Sequence, residues 1–294
     1  MWIVVTLMAA ACQSMRTAYQ KTLSREMGVL HATMARSLYG LPLVLLYLLL
    51  CWLIAGPVTV ANSGAFVGYA SLCAIAQILA TWLMLRVFES GSFVLGTLLA
   101  KTEAVMAALL AIPLLDFVLS ASAWLGVVLG MCGALVMSVK PGTLRQLHRD
   151  ASLWPGLGSG FCFAITSVTA AMAAHSLDGH VASRAAVTLV WVLGMQAVLL
   201  AGIQMVRSGD WLAPLRGNRR LSVQVGILSS LGSIGWFTGF ALVNPALVKT
   251  LGQVEILGTL YFSKTRFGEV MERRHWIGGG LIVTSVLLVT LSKL

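Results

Sequence analysis

Long apolar runs separated by short polar stretches recur along the whole chain, at about 2–20, 32–54, 65–86, 93–115, 119–139, 153–175, 183–206, 221–243, 246–263 and 275–292. Most approach the roughly 20 residues that a helix needs to cross the hydrocarbon core of a bilayer, so the pattern predicts ten transmembrane helices. The longest connections, 140–152 and 207–220, are too short to form a soluble domain. With 58% hydrophobic and 10% charged residues, and a mean hydropathy of +0.89, the chain is built for lipid as its main solvent. The first run begins at Met1 with no basic stretch before it, and its polar end, CQSMRTAYQK, lacks the usual small-residue cleavage site. It reads as a retained helix rather than a signal peptide.

A repeat is superimposed on this pattern. Glu103 lies 21 residues before Trp124, Glu255 lies 21 before Trp276, and the offset of 152 also relates Gly126 to Gly278 and Trp2 to Trp154. HATMAR, ending at Arg36, resembles HVASR, ending at Arg184, at a slightly smaller offset. The duplication divides the chain into a first five-helix unit at 1–140, a linker at 141–152 and a second unit at 153–294. A unit with an odd number of crossings forces its second copy to enter the membrane upside down. The expected fold is therefore all-α and polytopic, with ten transmembrane helices arranged as two inverted five-helix repeats.

Loop charge agrees with the inversion. The loops after the second and fourth spans carry no Lys or Arg, whereas their repeat partners carry Arg207, Arg216, Arg219 and Arg220, and Lys264, Arg266, Arg273 and Arg274. The net charge of +10 therefore reports membrane orientation and not a nucleic-acid partner. Fifteen Lys and Arg lie in or beside the loops after odd-numbered spans and three on the other side, so the positive-inside rule places both termini away from the cytoplasm.

Candidate chemistry centres on the repeated acids. An ionised carboxylate at the middle of an isolated membrane helix costs roughly 2.5–3.5 kcal/mol, so Glu103 and Glu255 each require a partner, a proton or a wet cavity. Lys101 and Glu103 sit about 200° apart around a helix and look to different neighbours. If the fourth and ninth spans meet, the two glutamates repel one another and Lys101 offsets one charge, giving a protonatable site. The candidate substrate- or proton-binding residues are Glu103, Glu255, Lys101, Gln13, Arg16, Gln253 and Gln77. The alternative is a fixed ion-pair network that locks the halves together.

Other polar residues carry weaker signals. Ser14, Thr81, Thr166, Ser167 and Thr169 more often bond to their own helix than to a ligand. Arg36 and Arg184 fit either an anionic group or headgroup snorkelling, and Arg86 with Glu89 reads as an interfacial pair. The five cysteines lie in apolar spans without ligand spacing and read as small buried hydrophobes. Gly126, Gly130 and Gly133, with Gly278, Gly279 and Gly280, offer small faces for helix packing. No HExxH or P-loop pattern occurs. A nucleophile at Ser159 with His175 as its base fails on distance, since 16 residues of helix span about 24 Å.

The two-times-five layout resembles the EamA-type transporters of the drug/metabolite transporter superfamily. The resemblance rests on an acid closing the fourth and ninth spans (LLD at Asp116, FGE at Glu269) and the WLG and WIG starts at Trp124 and Trp276. It covers the whole chain, and implies carriage of small solutes such as amino acids, drugs, sugars, nucleotide sugars or small cations. It also implies cytoplasmic termini, against the loop charge. Many members have a Pro-containing apolar segment in the fourth and ninth helices, where this chain has AKTEAVMAALL and GQVEILGTL.

The combined expectation is a secondary-active carrier in the inner or plasma membrane, working by alternating access at a midplane site. It exports on family analogy, with proton coupling through the glutamates. No enzyme activity, cofactor, metal or nucleic acid is implied. The expected partners are a small-molecule substrate and membrane lipid, and the protein is a monomer or homodimer. The competing readings are a membrane-embedded enzyme, a channel or a scaffold.

Overall fold

A computed structural model describes residues 1–89, 99–100, 102–116, 118–138, 153–207, 210–258 and 272–291. The first half comprises α1 (Trp2–Met27), α2 (Val29–Leu38), α3 (Leu41–Ala55), α4 (Ser63–Glu89), α5 (Glu103–Leu115) and α6 (Ala121–Ser138). The second comprises α7 (Leu153–His175), α8 (Val181–Arg207), the short α9 (Ala213–Gly217), α10 (Arg219–Leu242), α11 (Pro245–Leu251), a 3₁₀ turn (Gly252–Val254) and α12 (Arg273–Leu291). Among the described residues, six helical spans are long and apolar enough to cross a membrane; Glu103–Leu115 and Ala121–Val136 are shorter apolar helices. The protein is thus a mostly helical, polytopic membrane protein.

The helices are inside-out relative to those of a soluble protein. On α1 the buried set includes Thr6, Ser14, Arg16, Thr17 and Gln20, while Val4, Leu7, Met8 and Met15 are exposed. On α3, Leu45, Leu46, Leu49, Leu50 and Leu53 all face outward. Apolar surface on this scale is stable only against lipid. Trp154 and Trp276, at helix starts, are 76% and 74% exposed, as interfacial anchors are.

The most extensive packing joins α6 to α12, α4 to α7 and α1 to α10; α3 packs on α8 and α5 on α11. Exchange α1 with α7, α4 with α10, α2–α3 with α8, α5 with α11 and α6 with α12, and the same pairs return. The α6–α12 seam uses the small faces read from the sequence. Ser285 donates to the Gly126 carbonyl (2.6 Å), and a Cβ on Gly133 would lie 2.8 Å from the Gly278 carbonyl oxygen. Gly40 and Gly226 permit a similar approach of the α2–α3 junction to α10, closed by Ser230 donating to the Gly40 carbonyl (2.9 Å).

At one end of the bundle, β1 (Thr59–Val60), after α3, pairs antiparallel with β2 (Leu177–Asp178), after α7, in the register Thr59 with Asp178 and Val60 with Leu177. Ser183, at the start of α8, donates to the Gly56 carbonyl (3.0 Å) beside this clip. Gly56 and Gly179 flank it with φ of 82° and 129°, backbone that side-chain-bearing residues avoid.

Several expected spans are not uniform helices. The second, 32–54, is interrupted at Tyr39–Gly40, where Pro42 at the start of α3 removes a backbone donor. The ninth, 246–263, begins sharply because the Asn244 side chain accepts from the Ala246 N–H (2.8 Å) and Pro245 sets the first turn. It then tightens into the 3₁₀ turn immediately before Glu255. In the fourth, 93–115, Thr102 forms a turn before Glu103, its N–H and Oγ1 both donating to the Leu99 carbonyl (3.3 and 2.6 Å). Thr102 and Val254 are related by the repeat offset, so both helices break their ladder one residue ahead of the repeated acid.

Candidate functional site

The two breaks meet around a small cavity of about 30 Å³ lined by residues that include Gln13, Glu103, Lys249 and Glu255. A helix that departs from α geometry in mid-membrane frees backbone groups and re-aims the residues that follow. Here those residues are the glutamates. Glu103 and Glu255 are 8% and 4% exposed, so charge on either demands a partner close by.

For Glu103 the partner is Lys249, whose ammonium donates to Oε2 at 3.0 Å. Both side chains are 11% exposed. The same Nζ lies 4.7 Å from the Trp236 ring centroid, 5.5 Å from Phe240 and 5.7 Å from Phe163. Trp236 and Phe240 stand one turn apart on α10 and stack at 6.2 Å, and Phe163 comes from α7. Trp236 reaches the ammonium because Gly252, in the 3₁₀ turn, has no Cβ to collide with the indole.

Arg16 stands behind the cavity at 3% exposure, attracted first to Glu255 and then to Glu103. Its Nε and Nη2 make no hydrogen bond among the described residues. Arg36, also 3% exposed, donates through Nε to Ser229 Oγ (2.9 Å) and through Nη1 to Thr81 Oγ1 (3.1 Å). That places Arg36 in the core, not at the headgroups. Its neighbour in charge is Arg16.

The sequence-derived candidates separate accordingly. Gln13, Glu103 and Glu255 come together at the cavity with Arg16 close behind. Gln77 instead accepts from Gln196 Nε2 at 2.9 Å, tying α4 to α8. Gln253 is buried against the α6–α12 seam; its Oε1 occupies the space a Cβ on Gly130 would need. Lys101 lies outside the described residues, as do the side chain of Glu89 and all of Glu269. Ser14, Thr166, Ser167 and Thr169 bond back to carbonyls of their own helices. Ser159 donates to the Ala80 carbonyl (2.8 Å), a packing bond between α7 and α4. All five cysteines are free.

Among the basic groups inside apolar spans, the sequence ranks Lys249 behind Lys101 and Arg16 as a partner for an anionic substrate group, and it gives no place to Thr17, Phe163, Trp236 and Phe240. The signal for Lys249 was present: a lysine inside an apolar span, six residues before Glu255. The rings gave none, because an aromatic in a membrane helix is ordinary packing until a cation lies against it.

Comparison with known proteins bears on the same architecture. The EamA-like transporter family model matches residues 1–139 and again 152–291. No curated protein matches the chain. A solved crystal structure of a protein 14% identical to this one covers 98% of this chain and 96% of its own, with a TM-score of 0.68, a likeness of fold alone.

Proposed function

The chain belongs to the EamA-like transporter family, within the drug/metabolite transporter superfamily, and on that footing we propose a secondary-active carrier of a small organic solute. The cavity between the breaks before Glu103 and Glu255 is its substrate site, with Gln13 and Arg16 contributing. The carrier consists of two inverted five-helix units, 1–140 and 153–294 joined by 141–152, and alternates access by rocking one unit against the other. It resides in the inner or plasma membrane and works as an exporter. Glu103 and Glu255 exchange protons with the gradient as substrate enters and leaves.

The observation that carries this reading is the Lys249–Glu103 pair. It joins the two repeats inside the cavity, so a ligand that competes for either charge alters the contact between the units. A lock between helices would need neither the cavity nor a break on each side of it.

The test is solute counterflow in proteoliposomes, with and without an imposed pH gradient. Amino acids, polyamines, organic cations, sugars and nucleotide sugars form the panel, and Glu103→Gln and Glu255→Gln run beside the wild type. Flux of one class, lost or uncoupled from pH in folded variants, supports the reading. Normal pH-dependent flux in both variants removes the coupling role. A folded wild type that moves no member of the panel overturns the carrier reading.

A further inference from the structure

A second polar cluster is buried in the bundle, outside the lining of the cavity. It consists of Arg16 on α1, Arg36 on α2, Thr81 on α4 and Ser229 on α10, none more than 3% exposed. Arg36 donates to the Ser229 hydroxyl oxygen at 2.9 Å and to that of Thr81 at 3.1 Å. A hydroxyl that accepts still has its own proton to give. Neither of these two donates to an acceptor among the described residues. Thr33, Ser37 and Thr166 behave differently, each returning its proton to a carbonyl of its own helix. Arg16 Nε and Nη2 likewise find no acceptor among the described residues. The cluster therefore has a surplus of donors, and a buried donor left unmet is costly.

Charge points the same way. The titratable groups that act on Arg36 are a second cation, Arg16, and the Cys73 thiol, which donates to the Thr166 carbonyl (3.4 Å) and is therefore neutral. Glu103 is paired with Lys249, and the two glutamates draw on Arg16 and not on Arg36. Among the described residues no carboxylate offsets Arg36. Two neighbouring guanidiniums in a low-dielectric interior repel one another and each pays for its lost hydration, unless a negative charge joins them.

We infer that Arg36, Arg16, Thr81 and Ser229 form a binding site for a small monovalent inorganic anion of the halide class, such as chloride. Arg36 supplies the charge, the two hydroxyls supply O–H donors, and Arg16 adds N–H donors. A single-atom anion accepts from several donors at once and has no body of its own to house. An organic acid would have to bring its carbon skeleton in among groups already 2.9 and 3.1 Å apart. The site is distinct from the proposed substrate cavity, and the inference does not depend on the carrier reading. Ser229 belongs to the second repeat and the other three residues to the first, so the bound ion ties the repeats together.

The test uses purified full-length protein in gluconate, titrated with chloride at constant ionic strength. Equilibrium dialysis of radiolabelled chloride reads binding, and thermal unfolding reads stability. Chloride is expected to bind saturably, to be displaced by bromide and to raise the unfolding midpoint above that in gluconate. Thr81→Val and Ser229→Ala each remove one hydroxyl and nearly keep the shape, and each is expected to weaken chloride about tenfold, as the loss of a hydrogen bond to a charged group does. Arg36→Met should abolish binding; if it does not fold, the two hydroxyl variants decide.

Chloride that stabilises the wild type no more than gluconate does overturns the inference. So does wild-type affinity in both hydroxyl variants, or a midpoint lowered equally in gluconate and chloride, which is the mark of a purely structural role. Formate separates the two sources of a single negative charge: formate binding through Arg36 that chloride cannot displace assigns the site to a carboxylate and overturns the halide. Solute counterflow is a separate readout, so this assignment and the carrier reading fail independently.

Discussion

Lys249 and Glu103 meet at 3.0 Å across 146 residues of sequence, one from each repeat, with both side chains almost withdrawn from solvent. Removing one partner of such a pair strands the other, and in buried settings this costs about 3–5 kcal/mol, whereas replacing both with apolar groups of similar volume is often close to neutral. Lys249→Met and Glu103→Leu are therefore each expected to lower stability by a few kcal/mol in detergent denaturation. The double variant should recover most of it. Equal, additive losses would show that the pair is not energetically coupled.

Trp236 depends on the missing side chain of Gly252, since a Cβ there would run into the indole. Gly252→Ala is expected to push the ring off Lys249 and weaken its hold on the ammonium. The contribution at stake is about 0.5–2 kcal/mol for a partly desolvated cation–π contact. Trp236→Leu should give a loss of similar size. Raised acetylation of Lys249 in both variants, read by mass spectrometry, checks the prediction; unaltered labelling contradicts it.

Much of this site was legible in the chain, for reasons that differ by residue. Glu103 and Glu255 stood out because acids are rare in apolar runs and the repeat marks them twice. The pairing did not, because a helical wheel places Lys101 relative to Glu103 but says nothing of a lysine 146 residues away. Gln77 and Gln253 stand among the sequence-derived site candidates as amides inside apolar spans; the fold hides them against Gln196 and the α6–α12 seam instead. The helix breaks were also missed. Glycine and threonine at 252 and 102 are weak signals alone, and the tightening becomes meaningful only when both copies show it before the same acid.

Gly133 and Gly194 provide a matched contrast. A Cβ at Gly133 would sit 2.8 Å from the Gly278 carbonyl oxygen, while one at Gly194 meets nothing within 4 Å. Overpacking costs about 1–3 kcal/mol, so Gly133→Ala should lower the unfolding midpoint clearly. Gly194→Ala should leave it unchanged or raise it slightly, because alanine loses less backbone entropy in a helix. A reversed order in thermal unfolding would contradict the tight α6–α12 seam.

Orientation is open to a direct experiment. By loop charge, the segment between α8 and α10, with Arg216 and with Arg219 and Arg220 at the start of α10, is expected on the cytoplasmic side. Asp210, exposed in that segment, is a suitable reporter position. In a cysteine-free background, Asp210→Cys is expected to react with an impermeant maleimide only after the membrane is opened. Labelling of intact cells would put that segment outside and the termini inside.

The pairing of Thr59–Val60 with Leu177–Asp178 fastens the loop after α3 to the loop after α7, one from each half. Backbone hydrogen bonds are short-ranged and directional, so this strap tolerates little sliding. For the rocking of the two units proposed above, the pivot lies at that face. In such a motion the strapped end would be the axle and the far end would travel furthest, unless the strap itself were undone on each cycle. A disulfide across Thr59 and Asp178 distinguishes the two regimes, since it leaves an axle turning and stops a latch.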